Sequence, residues 1–443
     1  MERILIGELG NHIGTTVSIS GWVDVRRDQG KMVFFDFRDR SGSVQGVVLP
    51  GSGAIERAKE IRNEYVVRVE GVVNKRPEKN VQVNKRNGAL ELEVKALEIL
   101  SPAEIPFELG AEVNLDTYLD NQPFTLRNER AKSIFKLQET IIEGFREALK
   151  KESFTEFQAP AIVGGDAEGG AAAFEVAYHY EKKAYLATSP QFYKQIMVGV
   201  FERAFATPKV FRGEKHATPR HLNEYSSLDF EMGFIKDHTE VMGVLERVIR
   251  HILERVAESH LGIFETFGTT APLMPVTIPV LKLREAQKIL GVAHEPDLDP
   301  EHERMLCEWV RKEHKSDFIF ITHYPVSKRP FYTYEDEADQ GFTKSFDLLF
   351  RGLEITTGGQ RIHNYNHLVE RIKSRGLDPE KFNFYLEAFK VGMPPHGGSA
   401  TGLERLTARL LELPNVKEAT LFPRDLNRID TLLSTGTAET KEN

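Results

Sequence analysis

Close to residue 130 the spacing of apolar residues changes from every second position to every third or fourth, so the two parts of the chain cannot share one kind of core. Upstream, "TTVSISGWVDVRRDQGKMVFFDFRDRSGSVQGVVLP" holds three β-rich runs broken at 27–31 and 39–42, and "YVVRVEGVVNKRP" and "LELEVKALEIL" add two more. Runs of this length bounded by Gly, Asp and Pro read as short strands joined by turns. With one helical piece at 54–62, they predict a small Greek-key barrel. Downstream, "AKSIFKLQETIIEGFREALKKESF" puts Ile134, Leu137, Ile141 and Phe145 on one helical face, and "TEVMGVLERVIRHILERVAESHL" is a second amphipathic helix.

A chain of 443 residues is too long for one core. The expected division is a barrel of OB type over 1–102, a proline-containing linker over 103–130, a larger α+β domain over 131–435 and a polar tail over 436–443. The single cysteine, Cys307, excludes disulfides within the chain and CxxC metal sites. No apolar run has the length of a membrane span, and "MERILIGELG" lacks the apolar core of a signal peptide, so the expected setting is a reducing cytoplasm with no membrane partner. A net charge of −8 argues against a uniformly basic nucleic-acid binder. The charge is uneven: residues 1–100 carry 16 Lys and Arg against 14 Asp and Glu, and Lys75–Arg86 carries five basic residues and one acid. That run is either a basic edge for a phosphate backbone or a solvated loop.

The stretch "FRGEKHATPRHLNEYSSLDFEMGF", Phe211 to Phe234, has strand-like ends around a polar loop. Alternation puts Arg212 and Glu214 on one face of the first strand. On the second it puts Tyr225, Ser227, Asp229 and Glu231 on one face and Leu228, Phe230 and Met232 on the other. The apolar face is a core face; the opposite one is a charged floor with an aromatic ring at its rim. Arg212 can neutralise a phosphate, Tyr225 can stack on a base, Arg220 and His221 can close over a polyphosphate, and Asp229 can hold an ammonium group. A surface hairpin laced with ion pairs is the competing reading. Further along, "GLEITTGGQRIH" sets Glu354, Thr357 and Arg361 around a Gly-Gly pair, and a carboxylate with a hydroxyl can share a hard cation such as Mg²⁺. "GMPPHGGSATGLERLTARLLEL" is a glycine-rich strand end feeding a helix whose Leu403, Leu406, Leu410 and Leu413 face inward, with Arg405 near its start. Neither GxGxxG nor GxxxxGK[ST] is present, so no Rossmann or P-loop site is indicated.

Together these segments resemble the motifs of class II aminoacyl-tRNA synthetases. "FRGEKHATPRHLNEYSSLDFEM" is similar to motif 2, "GGSATGLERL" to motif 3, and "FQAP", ending at Pro160, to motif 1. "AEGGAAAF", "SPQFYKQ", "RPFYT", "SFDLLFRGLEITTGGQRIH" and "GMPPHGG" resemble the aspartyl-tRNA synthetases of the compact archaeal type, over nearly the whole chain. The resemblance implies ATP-dependent formation of aspartyl-adenylate and transfer of the aspartyl group to tRNA(Asp). It implies that Arg212 holds the α-phosphate and the reacting carboxylate, and that Tyr225 and Arg405 sandwich the adenine with Glu214 at its edge. Arg212 and Arg405 would be the catalytic residues. His221, with Arg220, would reach the terminal phosphates, Leu222, Gly402, Leu403 and Glu404 would complete the ATP site, and Glu354 with Thr357 would hold Mg²⁺. Glu168, Gln191, Ser227 and Asp229 would orient the ammonium and α-carboxylate of L-aspartate, with Thr357 also on the substrate side.

Lys194 and Arg361 would face the substrate side chain, and two cations suit a carboxylate better than an amide. In the asparagine enzyme an acid typically replaces this lysine; a helix-surface position is the bland alternative for Lys194. Thr357 stands where the family usually has serine, and Ser399-Ala400-Thr401 where Trp-Gly-Leu is common. In the barrel, Phe35 and Gln45 match positions that stack on and read the anticodon, the alternative for Phe35 being barrel core. Asp24 stands near a position where strict enzymes often have tryptophan, which leans toward tRNA(Asn) as a second substrate. The resemblance also implies a homodimer built on motif 1. The competing functions are an asparaginyl-tRNA synthetase, or a catalytically weak paralogue that binds tRNA or makes asparagine; paralogues of that last kind generally lack the barrel.

Overall fold

The computed structural model describes residues 1–83, 87–165, 173–213, 215 and 218–429. The chain forms two compact units, Met1–Ala111 and Glu112–Asn443. The division falls inside the expected linker. The remainder of that segment belongs to the second unit, where Leu115–Asp120 and Gln122–Thr125 are short helices, the first capped by the Asn114 side chain accepting from Thr117 N. At six and four residues they are too short to show a helical period. The expected tail, 436–443, lies outside the described residues.

The first unit is a closed barrel of strands β1 (Thr16–Asp28), β2 (Val33–Asp39), β3 (Gly42–Val48), β4 (Val66–Lys75) and β5 (Leu90–Ser101), in the order β1-β2-β3-β5-β4. The expected helical piece is Ile55–Glu60. Inward residues of every strand, among them Val23, Phe35, Phe37, Val69 and Leu92, form one apolar core.

The second unit is built on a nine-stranded mixed sheet. Its strands are β6 (Thr155–Glu156), β10 (Arg203–Ala206), β11 (Lys209–Phe211), β12 (Glu224–Gly233), β13 (Val280–Lys282), β14 (Phe318–Thr322), β15 (Ser345–Phe350), β16 (Leu353–Arg361) and β17 (His396–Gly402). The order is β13-β14-β15-β16-β17-β12-β10-β6, with β11 paired to β12; the pairs at the two ends are parallel and the middle is antiparallel. A small sheet of β7 (Ile162–Val163), β8 (Glu175–Ala177) and β9 (Lys183–Leu186) lies beside it in sequence.

The helices Glu129–Lys151 and His238–Ser259 cover the apolar face of the large sheet. Leu228, Phe230 and Met232 of β12 share one core with Ile134, Leu137 and Ile141 of the first helix, all three of which are at most 1% exposed. The apolar face of that helix therefore meets its own subunit. The opposite face of the sheet is left for chemistry.

Candidate active site

The second strand of the motif 2 hairpin is β12, in the middle of the sheet, and its polar face forms the floor of a cavity of about 390 Å³. Arg212, Arg220, His221, Leu222, Tyr225 and Ser227 line it, together with Glu354, Thr357 and Arg361 of β16 and Gly402, Glu404 and Arg405 from the end of β17 and the start of the helix Leu403–Leu410. Gln191 and Lys194 reach it from the helix Gln191–Phe201. Glu168 and Glu214 lie outside the described residues. Leu403 is 3% exposed and belongs to the core, as its place in the apolar helix stripe requires; among the expected nucleotide contacts it offers no side chain to the cavity.

The closed end of the cavity is a buried charge cluster. The helix Gln191–Phe201 covers the far half of β12, so Asp229 and Glu231 are fully buried although they stand on the polar face. Lys194 is 1% exposed, which rules out a helix-surface position. Its Nζ donates to Asp229 Oδ1 at 2.9 Å and to Ser399 O at 3.1 Å, and lies 3.4 Å from Glu231 Oε2. Arg361 donates from Nε to Glu231 at 2.8 Å and from Nη2 to Gly398 O at 3.0 Å, and it lines the cavity. Burial opposes ionisation of Glu231, but Arg361 and Lys194 together hold its carboxyl below the usual range. Two cations and two carboxylates thus compensate each other, the arrangement that makes a buried cluster tolerable. Among the described residues Asp229 Oδ2 has no hydrogen-bond partner, a loss of order 1–3 kcal/mol that a ligand donor would recover. A Cβ on Gly398 would come within 2.1 Å of both Glu231 Oε2 and Phe230 O, so this glycine is what lets the Glu231 carboxylate lie against β17.

The open end is different. In β16 the pairing with β15 slips, so that Leu348 faces Thr356 while Leu349 faces Glu354, and Ile355 is the extra residue of a bulge. A regular strand would put Glu354 and Thr357 on opposite faces. The bulge brings them together, and Thr357 Oγ1 donates to Glu354 Oε1 at 3.0 Å. Asp347 of β15 pairs directly with Thr357 and accepts from Arg329 at 2.7 Å. Burial raises the Asp347 carboxyl to about 6, with Arg329 opposing and Glu354 adding to the rise. Glu354, despite burial, is held low by Arg405 and Arg329. Arg405 Nη1 donates to Glu354 O at 3.1 Å, and Arg212 lies 5.8 Å from the centre of the Tyr225 ring. Arg220 is clasped by Glu303 at 2.7 Å; burial lifts the Glu303 carboxyl to about 7, Arg220 opposing and Glu354 adding. Both oxygens of Glu404 accept from Ser226 N at 3.0 Å, which ties the start of the motif 3 helix to β12. Ala400 lines the cavity, while Ser399 is buried and Thr401 bonds across to Thr356.

The sequence reading passed over Asp347, Arg329, Glu303 and the pairing role of Glu231. A signal existed for two of them. Asp347 interrupts the otherwise apolar "FDLLF", and Glu231 stands between Phe230 and Met232 in the buried half of its strand; an acid in a buried strand is seldom structural alone.

In the barrel the expectation for Phe35 is corrected. Its side chain is 0% exposed, stacked on Phe37 at 5.3 Å inside the core, because odd-numbered residues of β2 face inward. The partly exposed ring is its neighbour Phe34, opposite Arg27 of β1, and two residues on, Asp36 stands opposite Gln45 of β3. Gln45 donates to Glu91 at 2.9 Å and accepts from Arg76. Within the basic run, Arg76 is thus folded onto the barrel with its side chain 6% exposed, and residues 84–86 lie outside the described set.

Residues 114–426 match the model of the family described as tRNA synthetases class II (D, K and N), and residues 17–100 match an OB-fold nucleic acid binding domain. The chain is 47% identical to an aspartate–tRNA(Asp/Asn) ligase of Thermus thermophilus, covering 96% of this chain and 99% of that one. It is 43% identical to the protein of the same name from Deinococcus radiodurans, covering 97% and 99%. Among solved structures, asparaginyl-tRNA synthetase from Pyrococcus horikoshii with asparaginyl-adenylate superposes with a TM-score of 0.88 at 32% identity, over 97% of this chain and 99% of that one. The chain belongs to the class II tRNA synthetases of the aspartate, lysine and asparagine group.

Proposed function

We propose that this protein activates L-aspartate with ATP and transfers the aspartyl group to tRNA. The observation that carries the choice of amino acid is the closed end of the cavity. There Arg361, which lines the cavity, offers a guanidinium to a carboxylate, and Asp229 Oδ2, without a hydrogen-bond partner among the described residues, offers an acceptor to an ammonium. Lys194 stands behind Asp229 and keeps the cluster neutral before substrate enters. An asparagine amide would pair incompletely with a guanidinium. The relatives from Thermus thermophilus and Deinococcus radiodurans are both named aspartate ligases, which agrees. At the open end, Arg212, Arg220 and Arg405 offer positive charge to the phosphates, and Tyr225 offers a ring to the base. The chain's own groups position and neutralise, with no protein base required. ATP–pyrophosphate exchange tests the reading: exchange with aspartate and not with asparagine is expected, and the reverse preference overturns it.

Mg²⁺ fits the donor set of Asp347, Glu354 and Thr357: a carboxylate held low, a second whose ionisation it opposes, and a hydroxyl bonded to the first. When bound, it would neutralise phosphate charge. Charging of both tRNA(Asp) and tRNA(Asn) is supported by the names of the two relatives and by Asp24, whose side chain is 39% exposed and lies 3.6 Å from Arg38. Phe34, with Gln45, is the site we assign to the anticodon. Phe34→Ala should lower aminoacylation by the equivalent of about 1–3 kcal/mol and leave exchange unchanged. Loss of both activities in a folded variant would remove the assignment.

A homodimer is proposed along the β6 edge of the large sheet, where Val200, Phe201 and Phe234 are exposed close to β10 and β12. Such an interface would bury upwards of about 2,000 Å². Sedimentation as an active monomer at micromolar concentration would refute it. Among the described residues no helix is long and apolar enough to cross a membrane.

A further inference from the structure

Behind the closed end runs a chain of hydrogen bonds whose polarity is set at one terminus. His396, the first residue of β17, is fully buried. Its Nδ1 lies 2.8 Å from Pro394 O, and its Nε2 lies 2.8 Å from Gln195 Nε2. Gln195 Oε1 is in turn 3.0 Å from Gln191 Nε2 and 3.0 Å from the Tyr385 hydroxyl. A carbonyl oxygen can only accept, so the ring proton sits on Nδ1. Burial drives His396 down to about 4, with Glu231 opposing, so the ring is neutral near pH 7 and Nε2 can only accept. Gln195 must then turn its NH₂ toward the ring and its oxygen toward Gln191. That oxygen demands a donor from Gln191, so the NH₂ of Gln191 faces the protein and its Oε1 remains for the cavity that Gln191 lines.

We propose that His396 is a positioning residue which, through Gln195, fixes the Gln191 amide so that the substrate meets an acceptor, placed with Asp229 to receive the α-ammonium group of the amino acid. A charged His396 would reverse every amide in the chain and present an NH₂ to that ammonium. The selectivity for an amine is therefore written into a tautomer at one remove from the substrate. This rests on the reading of Gln191 as a substrate contact.

The test uses ATP–pyrophosphate exchange on the full chain. His396→Leu should raise the KM for aspartate about tenfold, with the KM for ATP within about twofold of wild type. His396→Gln, whose amide oxygen can replace Nε2 as acceptor, should restore the wild-type KM. In a Gln191→Met background, His396→Leu should add nothing. An unchanged aspartate KM in Gln191→Met overturns the reading of Gln191. An effect of Gln191→Met with none from His396→Leu overturns the relay alone, as does a His396→Gln variant impaired as much as His396→Leu. Should the leucine variant not fold, ¹⁵N NMR of histidine-labelled wild type decides, with the His396 signal assigned through His396→Gln. A neutral Nδ1–H ring near pH 7 is expected, and an Nε2–H tautomer or a charged ring overturns the proposal.

Discussion

The two ends of one cavity solve the problem of buried charge in opposite ways. At the closed end, Lys194, Arg361, Asp229 and Glu231 are buried and mutually paired, and Glu231 is held ionised by its two cations. At the open end, Asp347 and Glu303 also have arginine partners, yet burial and the nearby Glu354 push both carboxyls up, to about 6 and about 7. The first end is complete without a highly charged ligand and can discriminate by shape and by one unpaired oxygen. The second leaves two carboxyls with raised pKa beside Glu354 although arginines surround them, a condition suited to a ligand that arrives with its own cation.

The comparison is tested most severely by Lys194→Met. Removing one partner of a buried cluster leaves two acids to one arginine, and should cost about 3–5 kcal/mol of stability by chemical denaturation. Aspartate-dependent exchange should fall by at least about 100-fold. Exchange at the wild-type level would mean that the closed end is not the amino-acid end. Glu354→Gln acts on the other side. The Mg²⁺ needed for half-maximal exchange should rise by about 10–100-fold, with the aspartate KM unchanged. A shift in aspartate KM alone would break the division between the ends.

The pH dependence should separate them further. Asp347, titrating at about 6, is ionised above that pH and protonated below it, so protons compete with the metal there. The Mg²⁺ requirement should be flat from pH 8 to 7 and climb below about pH 6, approaching about tenfold per unit for one proton. The aspartate KM should stay level across the same window, because Glu231 titrates lower still. A Mg²⁺ requirement with no pH dependence would remove Asp347 from the metal site. The smallest effect is expected for Glu303→Gln. A carboxyl near 7 is only partly charged at neutral pH, and glutamine keeps an oxygen to accept from Arg220, so its loss should change stability by under about 1 kcal/mol; a larger loss in thermal unfolding would place Glu303 with the closed-end cluster.

Much of this was legible from the residues. The change of apolar period marked the two folding units, and the alternation in "EYSSLDFEM" assigned the core and cavity faces of β12, because side chains on a strand alternate whatever lies around it. "VFFDF" was less informative. Alternation says that Phe34 and Phe35 face opposite ways, but with aromatics on both faces only closure of the barrel shows which is core. Lys194 was similarly open, since its burial depends on a helix being laid over β12 by the rest of the fold.

Local pattern thus determined the elements, their apolar faces and the motifs that carry the chemistry, since these depend on residues a few positions apart. Pairing between distant segments decided the rest. Asp347 joins Thr357 through strand register, a one-residue bulge turns Glu354 to the same side, and His396 meets Gln195 across 201 positions of chain. Register, bulges and buried hydrogen bonds are settled by the packing of whole elements against one another, so even partners that share one stretch of sequence, as Asp347 and Thr357 do, are joined only by the fold.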